Sequence, residues 1–550
     1  MARIPDVNLS RSPTVPPLSS PPHRPRSPAL VALLAALAGA AAAVAVSGAL
    51  PAAAAAQLIS LRTVPVAAGD QFVLFPSRNL GMGGVSLAVR DPWLDPFVNP
   101  AEGARDGAAP LFGAPVFYGV SGGNGGARTL PLGGRLRSGA WFGALALAYQ
   151  QLESADRQDV VVLDALVRRG ALPDRLVGPW GWGGQPLRDR LADNLYGYAA
   201  LGRRLGDGRT ALGASVLLAD LQGVDGVDLL YALSRRVEQR GGLADFRLGL
   251  VRDLPGDRSL EALLLHHRFG MRHDVSYLDW APDPAGGGVV PVIREERNWD
   301  RTRTWGVSLG YEQPLGGAGW RIGGLLVANW KTHPRIPNYE IMAIPRDPGR
   351  SWAYDFGVGI ARALDGATVG LDLIYEPAWT ETWAEAAAPV PTPRGDTIPA
   401  GGRTVENDFR FSNLHLRAGV SHELGPADLQ LGLQLRSVRY WLDQVDRVRG
   451  TSREQAESWA EWTPTWGLAL RLPALELRYA GRLTLGTGRP GALWTPDRAR
   501  AIAESRLMGA DFLPAPGGPL TLQEARVLTH QVAVSLPLGG RLRSGAWFGA

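Results

Sequence analysis

Three of the eight histidines are closely spaced and are the first residues to consider as metal ligands. They are His266, His267 and His273. On an extended strand His267 and His273 share a face. At about 3.3 Å per residue they would stand about 20 Å apart, which is too far to hold one ion. No carboxylate triad accompanies them. We therefore expect neither a metal site nor a cofactor.

Signatures of other catalytic or phosphate-binding sites are weak. No Gly-x-Ser-x-Gly elbow stands near any histidine, as a serine hydrolase of the lipase type would need. The glycine-rich stretch 121–127 lacks the Lys-Ser/Thr of a phosphate-binding loop. We expect no catalytic residues, and we do not expect an enzyme.

Composition excludes several further classes of site. The chain has no cysteine, which rules out thiolate zinc sites, cysteine nucleophiles, disulfides and a lipid-anchored lipoprotein. The net charge is +5, and Lys331 is the only lysine among 57 basic residues. No basic stripe is interleaved with aromatic side chains, so we expect no nucleic-acid partner.

Polarity alternates at every second position in residues 353–377. An apolar rank from Tyr354 to Ile360 is interleaved with small and polar residues, and the pattern returns from Val369 to Tyr375 after a turn. Successive side chains of a strand point to opposite faces, so each strand has one apolar face. Both strands exceed ten residues, and a tilted strand of about ten residues spans the hydrocarbon layer of a bilayer. Recurrence of the pattern predicts an all-β fold, a transmembrane antiparallel β-barrel.

The alternation predicts about fourteen strands, an even number as expected for a single-chain bacterial barrel. Short Gly/Pro/Asp turns alternate with long loops, which indicates short periplasmic turns and long external loops. Eighteen tryptophans suit the aromatic girdles of such barrels. The predicted strands are 138–151, 194–205, 209–221, 243–253, 259–280, 301–313, 319–333, 351–363, 367–377, 407–423, 428–442, 463–472, 474–487 and 527–537. The predicted long loops are 152–193, 222–242, 281–300, 334–350, 378–406, 443–462 and 488–526.

Arginines on the polar faces of three predicted strands are the candidate ligand-binding residues. Charged side chains on a lipid face cost about 2–4 kcal/mol each at the bilayer midplane, so Arg417, Arg436 and Arg478 should point into the barrel. They could bind an anionic or amphipathic solute. Alternatively, they brace the wall through ion pairs with Asp and Glu, which is the default role of such residues.

The beginning of the chain has the features of an export signal. A basic amino-terminal region precedes a long Ala/Leu/Val run, and an A-x-A cleavage site ends just before Gln57. An uncleaved membrane anchor is the alternative, because the apolar run is long enough to span a bilayer. The sequence thus predicts a signal peptide at residues 1–56.

Residues 79–101 read NLGMGGVSLAVRDPWLDPFVNPA. This segment resembles the amino-terminal segment of the long-chain fatty acid transporter (FadL) superfamily, in which a Gly-Gly element precedes small residues with an acidic residue and then Asn-Pro-Ala. PorV-like barrels, which serve secretion of cargo to the cell surface, share much the same opening. The matching positions are Gly83, Gly84, Asp91, Asn99, Pro100 and Ala101. The resemblance implies a fourteen-stranded barrel with this segment folded inside as a hatch.

These observations divide the chain and suggest its role. Beyond the signal peptide we expect a hatch or plug segment at 57–137, the barrel at 138–537, and a tail at 538–550 that duplicates 132–144. The resemblance implies a bacterial outer-membrane channel, surrounded by lipid, that takes up hydrophobic or amphipathic small molecules. A PorV-like barrel with a secreted-protein partner is the alternative. An open porin for polar solutes is disfavoured by the hatch.

Overall fold

A computed structural model describes the barrel and the segment that precedes it. The described residues are 58–63, 67, 69–105, 110–122, 125–153, 191–225, 234–282, 289–317, 319–332, 349–386, 388–490 and 522–537. The predicted signal peptide, the predicted tail, and most of the predicted loops 152–193, 334–350 and 488–526 lie outside these residues.

Nineteen strands and three short helical turns form within the described residues. The strands are β1 (Pro110–Gly113), β2 (Val116–Val120), β3 (Gly126–Ser138), β4 (Trp141–Glu153), β5 (Leu191–Arg204), β6 (Thr210–Leu221), β7 (Ser234–Leu254), β8 (Arg258–Pro282), β9 (Val289–Pro314), β10 (Trp320–Thr332), β11 (Gly349–Leu364), β12 (Ala367–Glu385), β13 (Val390–Pro391), β14 (Thr397–Ile398), β15 (Arg403–Leu424), β16 (Ala427–Asp446), β17 (Thr451–Arg471), β18 (Glu476–Pro490) and β19 (Leu522–Pro537). The helical turns are a 3-10 turn at Leu80–Met82, α1 at Asp95–Val98 and a 3-10 helix at Pro100–Ala104. No helix among the described residues is long and apolar enough to cross a membrane.

The strands close into one antiparallel barrel. Each strand of the main sheet pairs with its neighbour along the chain, and β19 pairs back onto β1 and β2. Both β1 and β2 also pair with β3, so together they occupy a single place in the wall. The 17 strands of the sheet therefore fill sixteen positions. The short pair β13–β14 forms a separate hairpin.

The predicted count of fourteen strands was too low by two. All fourteen predicted strands overlap strands of the sheet, and the additional wall positions come from β1–β2 and from β3, within the predicted hatch range 57–137. Their apolar alternation is weak, because Ala114 and Pro115 interrupt the first, and Pro131 and the pair Gly133-Gly134 interrupt the second. The first long strand of the wall is thus β3, which precedes the predicted barrel start.

Two predicted long loops are largely strand. Strand β8 runs to Pro282, and β9 begins at Val289. Strands β16 and β17 are joined by residues 447–450 alone. The predicted loops 281–300 and 443–462 were therefore wrong. These extensions carry polar side chains on both faces, because both faces can be solvated beyond a membrane. Alternation therefore fails as a signal there. At the other end of the barrel, every connection within the sheet from β3 to β18 is a turn of at most five residues. The prediction of short turns is confirmed for the six that join predicted strands, and the turn between β3 and β4 was not predicted. We call this end of the barrel the short-turn end, and the opposite one the loop end.

A row of aromatic side chains marks the boundary between the apolar band and the loop end. Trp305, Trp330, Trp352 and Trp379 are paired in register across four adjacent strands. Below them, toward the short-turn end, exposed leucines, valines and phenylalanines cover the outer face. Tryptophan prefers the interface between lipid and water, so this row fits one membrane boundary. The full row from β7 to β16 is Phe246, His266, Trp305, Trp330, Trp352, Trp379, Arg410 and Trp441.

Candidate functional site

Residues 77–105, here called the inner segment, lie against the inward-facing side of the barrel wall. The segment contains the Gly-Gly and Asn-Pro-Ala motifs and is mostly buried. Its backbone contacts side chains and glycines of β6, β7, β10–β12 and β15–β17. The candidate site is therefore the interface between this segment and the wall.

Asp91 and Asn79 give the inner segment its shape. The Asp91 carboxylate accepts hydrogen bonds from the Ser77 hydroxyl at 2.6 Å and from the backbone N–H groups of Arg78 and Asn79 at 2.8 and 3.0 Å. It also caps the turn that leads into α1, since the N–H of Leu94 donates to it at 3.1 Å. The Asn79 side-chain amide donates to the carbonyl of Val85 at 2.9 Å. Asp91, which is 2% exposed, thus organises the segment from within.

The Gly-Gly motif makes a tight turn against the wall. Gly83 and Gly84 have φ angles of +74° and +64°, in the left-handed region that glycine adopts without strain. The Thr465 hydroxyl of β17 accepts from the Gly83 N–H and donates to the Gly81 carbonyl, both at 2.9 Å. Threonine at this wall position therefore holds both sides of the turn.

A row of wall glycines makes room for the inner segment. A Cβ atom built on Gly323 would overlap the carbonyl oxygen of Leu87, and one on Gly419 would overlap that of Met82. Several of these glycines are paired across adjacent strands, so the row crosses the wall at one level. The row comprises Gly323 of β10, Gly359 of β11, Gly370 of β12, Gly419 of β15, Gly432 of β16 and Gly467 of β17. Glycine permits such close backbone approach because it has no side chain.

The Asn-Pro-Ala motif occupies a second glycine-lined part of the wall. The Asn99 side chain accepts from the Ala101 N–H at 3.2 Å and so begins the 3-10 helix Pro100–Ala104. Cβ atoms at Gly213 and Gly249, which pair across β6 and β7, would collide with Pro100 and Asn99. The motif residues therefore serve the packing of the segment against the wall.

A charged cluster follows this motif. Arg105 forms ion pairs with Asp253 at 2.6 Å and with Glu261 at 3.4 Å, and it also pairs with Glu102. Burial, and after it the nearby Glu261 carboxylate, raises the pKa of Glu102 well above its usual range. One guanidinium thus faces three carboxyl groups at this end of the segment.

Arg417, one of the three predicted binding residues, contacts the inner segment. Its guanidinium donates to the Ser86 hydroxyl at 3.1 Å and to the Gly84 carbonyl at 3.4 Å. Asp372, directly opposite it on β12, accepts from the Ser86 N–H at 2.8 Å. A buried cation and a buried anion of the wall therefore hold the same turn of the segment.

Arg436 lies on the neighbouring strand in a buried group of both charges. Its guanidinium is 3.5 Å from the Glu376 carboxylate, and His415 lies at the same distance from Glu376. Glu461, paired in register with Arg436, forms an ion pair with Arg62 at 2.8 Å. Arg436 is thus surrounded by wall carboxylates, in the arrangement expected of a residue that braces the wall.

Arg478 lies apart from the other two, on β18. It pairs with Glu476 on its own strand, and its guanidinium lies 5.4 Å from the centre of the Trp93 ring. It also lines a small cleft between the segment and the wall. The cleft is lined by Ser77, Arg78, Gln430, Leu468, Arg478, Tyr479, Ala480, Gln531 and Ala533. The sequence therefore identified three inward-facing arginines, and the structure does not bring them together at one point.

The densest histidine group is likewise dispersed. His267 pairs with Asp245 at 3.3 Å and His273 with Asp300 at 3.0 Å, whereas His266 faces outward and stacks on Trp305 at 4.0 Å. Within the described part of the chain, no group of three potential ligands could hold a metal ion.

Comparison with known proteins finds only distant structural similarity. No protein-family model matches the chain, and no curated protein matches its sequence. A FadL homologue from Pseudomonas aeruginosa is 12% identical with a TM-score of 0.39, and the match covers 84% of this chain and 98% of that one. The toluene transporter TodX from Pseudomonas putida is 12% identical with a TM-score of 0.35, covering 87% and 99%. The FrpB iron transporter from Neisseria meningitidis is 11% identical with a TM-score of 0.32, covering 84% and 88%.

At these identities and TM-scores, the likenesses carry no argument about the activity of this chain. They include a FadL homologue, and FadL gives its name to the superfamily that residues 79–101 resemble. The fold itself follows from the strand pairings described above. The chain is a closed antiparallel β-barrel of sixteen positions with a FadL-like motif segment against its inner wall.

Proposed function

We propose that this protein is a bacterial outer-membrane channel for the uptake of hydrophobic or amphipathic small molecules, with the inner segment as its plug. The carrying observation is the fit between the motif residues 81–101 and the two glycine-lined parts of the wall. A segment with its own internal hydrogen bonds, seated against a polar lumen, suits a removable closure. An open porin would leave that lumen free.

The cleft beside Arg478 supports an amphipathic solute. Its lining includes two arginines, Arg78 and Arg478, together with the apolar Leu468 and the ring of Tyr479. The two guanidinium groups complement the anionic head of such a molecule. Binding of that head group by Arg478 is part of the proposal. Arg417 donates its hydrogen bonds to the inner segment and Arg436 pairs with Glu376, which favours structural roles for those two.

Deletion of residues 79–101 tests the proposal. The purified barrel is reconstituted in liposomes, and entry of a small polar sugar and of a fluorescent long-chain fatty acid is measured. We expect the intact barrel to pass the fatty acid and exclude the sugar, and the deleted barrel to admit both. Deletion of the β13–β14 hairpin, residues 388–399, serves as the control. Loss of barrel assembly on deleting 79–101 would contradict the plug, and free sugar entry through the intact barrel would indicate a porin.

A PorV-like role in secretion is the second candidate. The observation in its favour is the length of β8, β9 and β15–β17, which continue well past the aromatic row at the loop end. In β9 the distance from Trp305 to Val289 is sixteen residues, about 50 Å along an extended strand. Such a wall could contact a secreted protein. In that case neither the intact nor the deleted barrel should favour the fatty acid over other solutes of similar size.

A further inference from the structure

Outward-facing arginines cluster immediately above the aromatic row on β8 and β9. Arg268 and Arg303 are directly opposite each other in the cross-strand register, and Arg301 follows two residues from Arg303 on the same face. All three are exposed. Their flanking partners on the adjacent strands are small: Ala244 lies opposite Arg268, and Thr332 lies opposite Arg303. The cluster is therefore open to an external ligand.

Neighbouring arginines have carboxylate partners, and these three have none within the described ranges. Arg272 and Arg297 share Asp274 at 2.8 and 2.6 Å, and Arg350 pairs with Glu381 at 2.8 Å. Among the residues that the structure describes, no carboxylate forms an ion pair with the cluster. Arg268 donates a hydrogen bond to the His266 ring, and Arg301 lies over Trp299 at 4.7 Å.

Such an arrangement is unfavourable without a counter-ion. Like charges directly opposite on adjacent strands destabilise a sheet, and Arg268 and Arg303 are such a pair. Arginine binds phosphate through two parallel hydrogen bonds, and two guanidinium groups side by side can hold one phosphate between them. The cluster thus has the chemistry of a phosphate site.

The position of the cluster indicates where the phosphate comes from. Trp305 lies two residues below Arg303 on the same face and belongs to the aromatic row at the membrane boundary. Headgroup phosphates of a bilayer lie just outside that boundary. Basic clusters at this depth bind anionic headgroups. Trp299 and Trp305 flank the cluster along β9, so aromatic rings at the level of the headgroups lie on both sides of it.

We propose that Arg268, Arg301 and Arg303 form a site for the phosphate groups of membrane lipid at the loop end. The proposal rests on the outer-membrane placement of the barrel, in which the loop end faces outward and the adjacent leaflet contains phosphorylated glycolipid. The occupant is then the phosphorylated glucosamine headgroup of that glycolipid. Bound lipid would neutralise the facing arginines and stabilise this side of the barrel.

Binding of bisphosphorylated lipid A to the full-length protein in non-ionic detergent tests this site. In the double variant Arg268→Gln/Arg303→Gln we expect affinity to fall about tenfold or more, because at least one charge-assisted hydrogen bond is lost. Arg203→Gln/Arg362→Gln is the matched control. Those arginines lie over Trp141 and Trp320 beside turns of the short-turn end. The control should bind lipid A as the wild type does.

Three further measurements distinguish the outcomes. Arg268→Lys/Arg303→Lys keeps the charge and should retain part of the affinity, and heat-modifiability confirms a folded barrel in each variant. Dephosphorylated lipid A should bind weakly to every variant. Excess inorganic phosphate should fail to displace lipid A, and displacement would mean that the site takes free phosphate.

Equal binding by the wild type and the Gln variant, or an equal loss in the control variant, would overturn the lipid site. Fatty acid uptake is measured separately. A barrel that fails to transport but loses lipid A binding in the Gln variant would contradict the proposed function and leave this inference standing.

Discussion

Substitution of a single wall glycine should displace the inner segment without harming the barrel. In Gly323→Ala the new methyl group points into the lumen, where it would overlap the carbonyl oxygen of Leu87. The neighbouring Gly324 faces the opposite side, and a Cβ atom there meets nothing closer than 4.0 Å. Gly324→Ala therefore makes the same chemical change one residue away on the same strand, and it serves as the control.

The size of the effect follows from the bonds that the displacement breaks. A Cβ atom on residue 323 would lie 1.6 Å from the carbonyl oxygen of Leu87. That oxygen must retreat by roughly 1.7 Å to restore the ~3.3 Å separation that carbon and oxygen atoms need. The Ser86 N–H, now 2.8 Å from the Asp372 carboxylate, would move out of hydrogen-bond range. Hydrogen bonds to charged groups contribute about 1.5–3 kcal/mol each. The displaced state should become about 10 to 150 times more populated.

Cysteine labelling measures that population directly, because the chain has no cysteine of its own. Val85 is fully buried, so a Val85→Cys reporter should react slowly in the wild-type background. We expect Gly323→Ala to accelerate its labelling by about 10 to 150 times, as calculated above, while Gly324→Ala leaves the rate unchanged. Equal rates in both variants would refute the close packing of the segment against β10.

Three other predictions concern topology, the lumen and pH. An epitope tag in the loop 386–402 should be accessible on intact cells and a tag in the turn 425–426 should not; the reverse would overturn the orientation. Replacing Arg417, Arg436 and Arg478 together by glutamine should lower the melting temperature of the barrel. Uptake per folded barrel should also fall, because the head-group ligand Arg478 is lost. An unchanged melting temperature would contradict a bracing role. The pKa of Glu102 is raised in the folded protein, so ionisation of this carboxyl group opposes its burial. Packing of the Pro100–Ala104 helix should therefore weaken as the pH rises from the unfolded-state pKa through the folded-state pKa. An Ala104→Cys reporter, corrected for thiol ionisation, should show this trend and should lose it in Glu102→Gln.

Much of the wall could be predicted from the sequence because one face of each strand contacts lipid. The alternation from Tyr354 to Ile360 is clear in the sequence because a charged side chain on the lipid-facing side would be unfavourable. Strand β3 was missed, although Leu130, Leu132 and Leu136 are exposed on one face, because Pro131 and two glycines break the pattern. Beyond the aromatic row neither face is constrained by lipid, so the ends of β8, β9, β16 and β17 were unpredictable from polarity.

The interface with the inner segment was harder to predict, since it depends on glycines. Gly359 and Gly370 appear in the sequence only as small residues between apolar ones. Their role emerges when strand pairing places them beside Gly323 and Gly419 at one level. The motif resemblance pointed to residues 79–101, which lie against the wall, and their role as a plug stays a prediction. The arginines identified by charge have different surroundings, since Arg417 donates to the segment and Arg436 pairs with Glu376 of the wall. These contacts depend on how strands distant in the sequence are paired. The sequence of one strand does not show that pairing.

Three buried charged groups at the interface between the segment and the wall have polar partners on their own side of it. Asp91 keeps its donors from Ser77, Arg78 and Asn79 wherever the segment moves, because all of them belong to the segment. On the wall, Asp372 lies directly opposite Arg417 in the cross-strand register, so each retains an opposite charge when the segment leaves. For these three groups, departure leaves no buried charge without a polar partner, which would otherwise be a large penalty. The contacts that must break are hydrogen bonds, close glycine contacts and the ion pairs of Arg90 with Glu312 and of Arg105 with Asp253 and Glu261. Those ion pairs are the larger electrostatic cost of moving the segment.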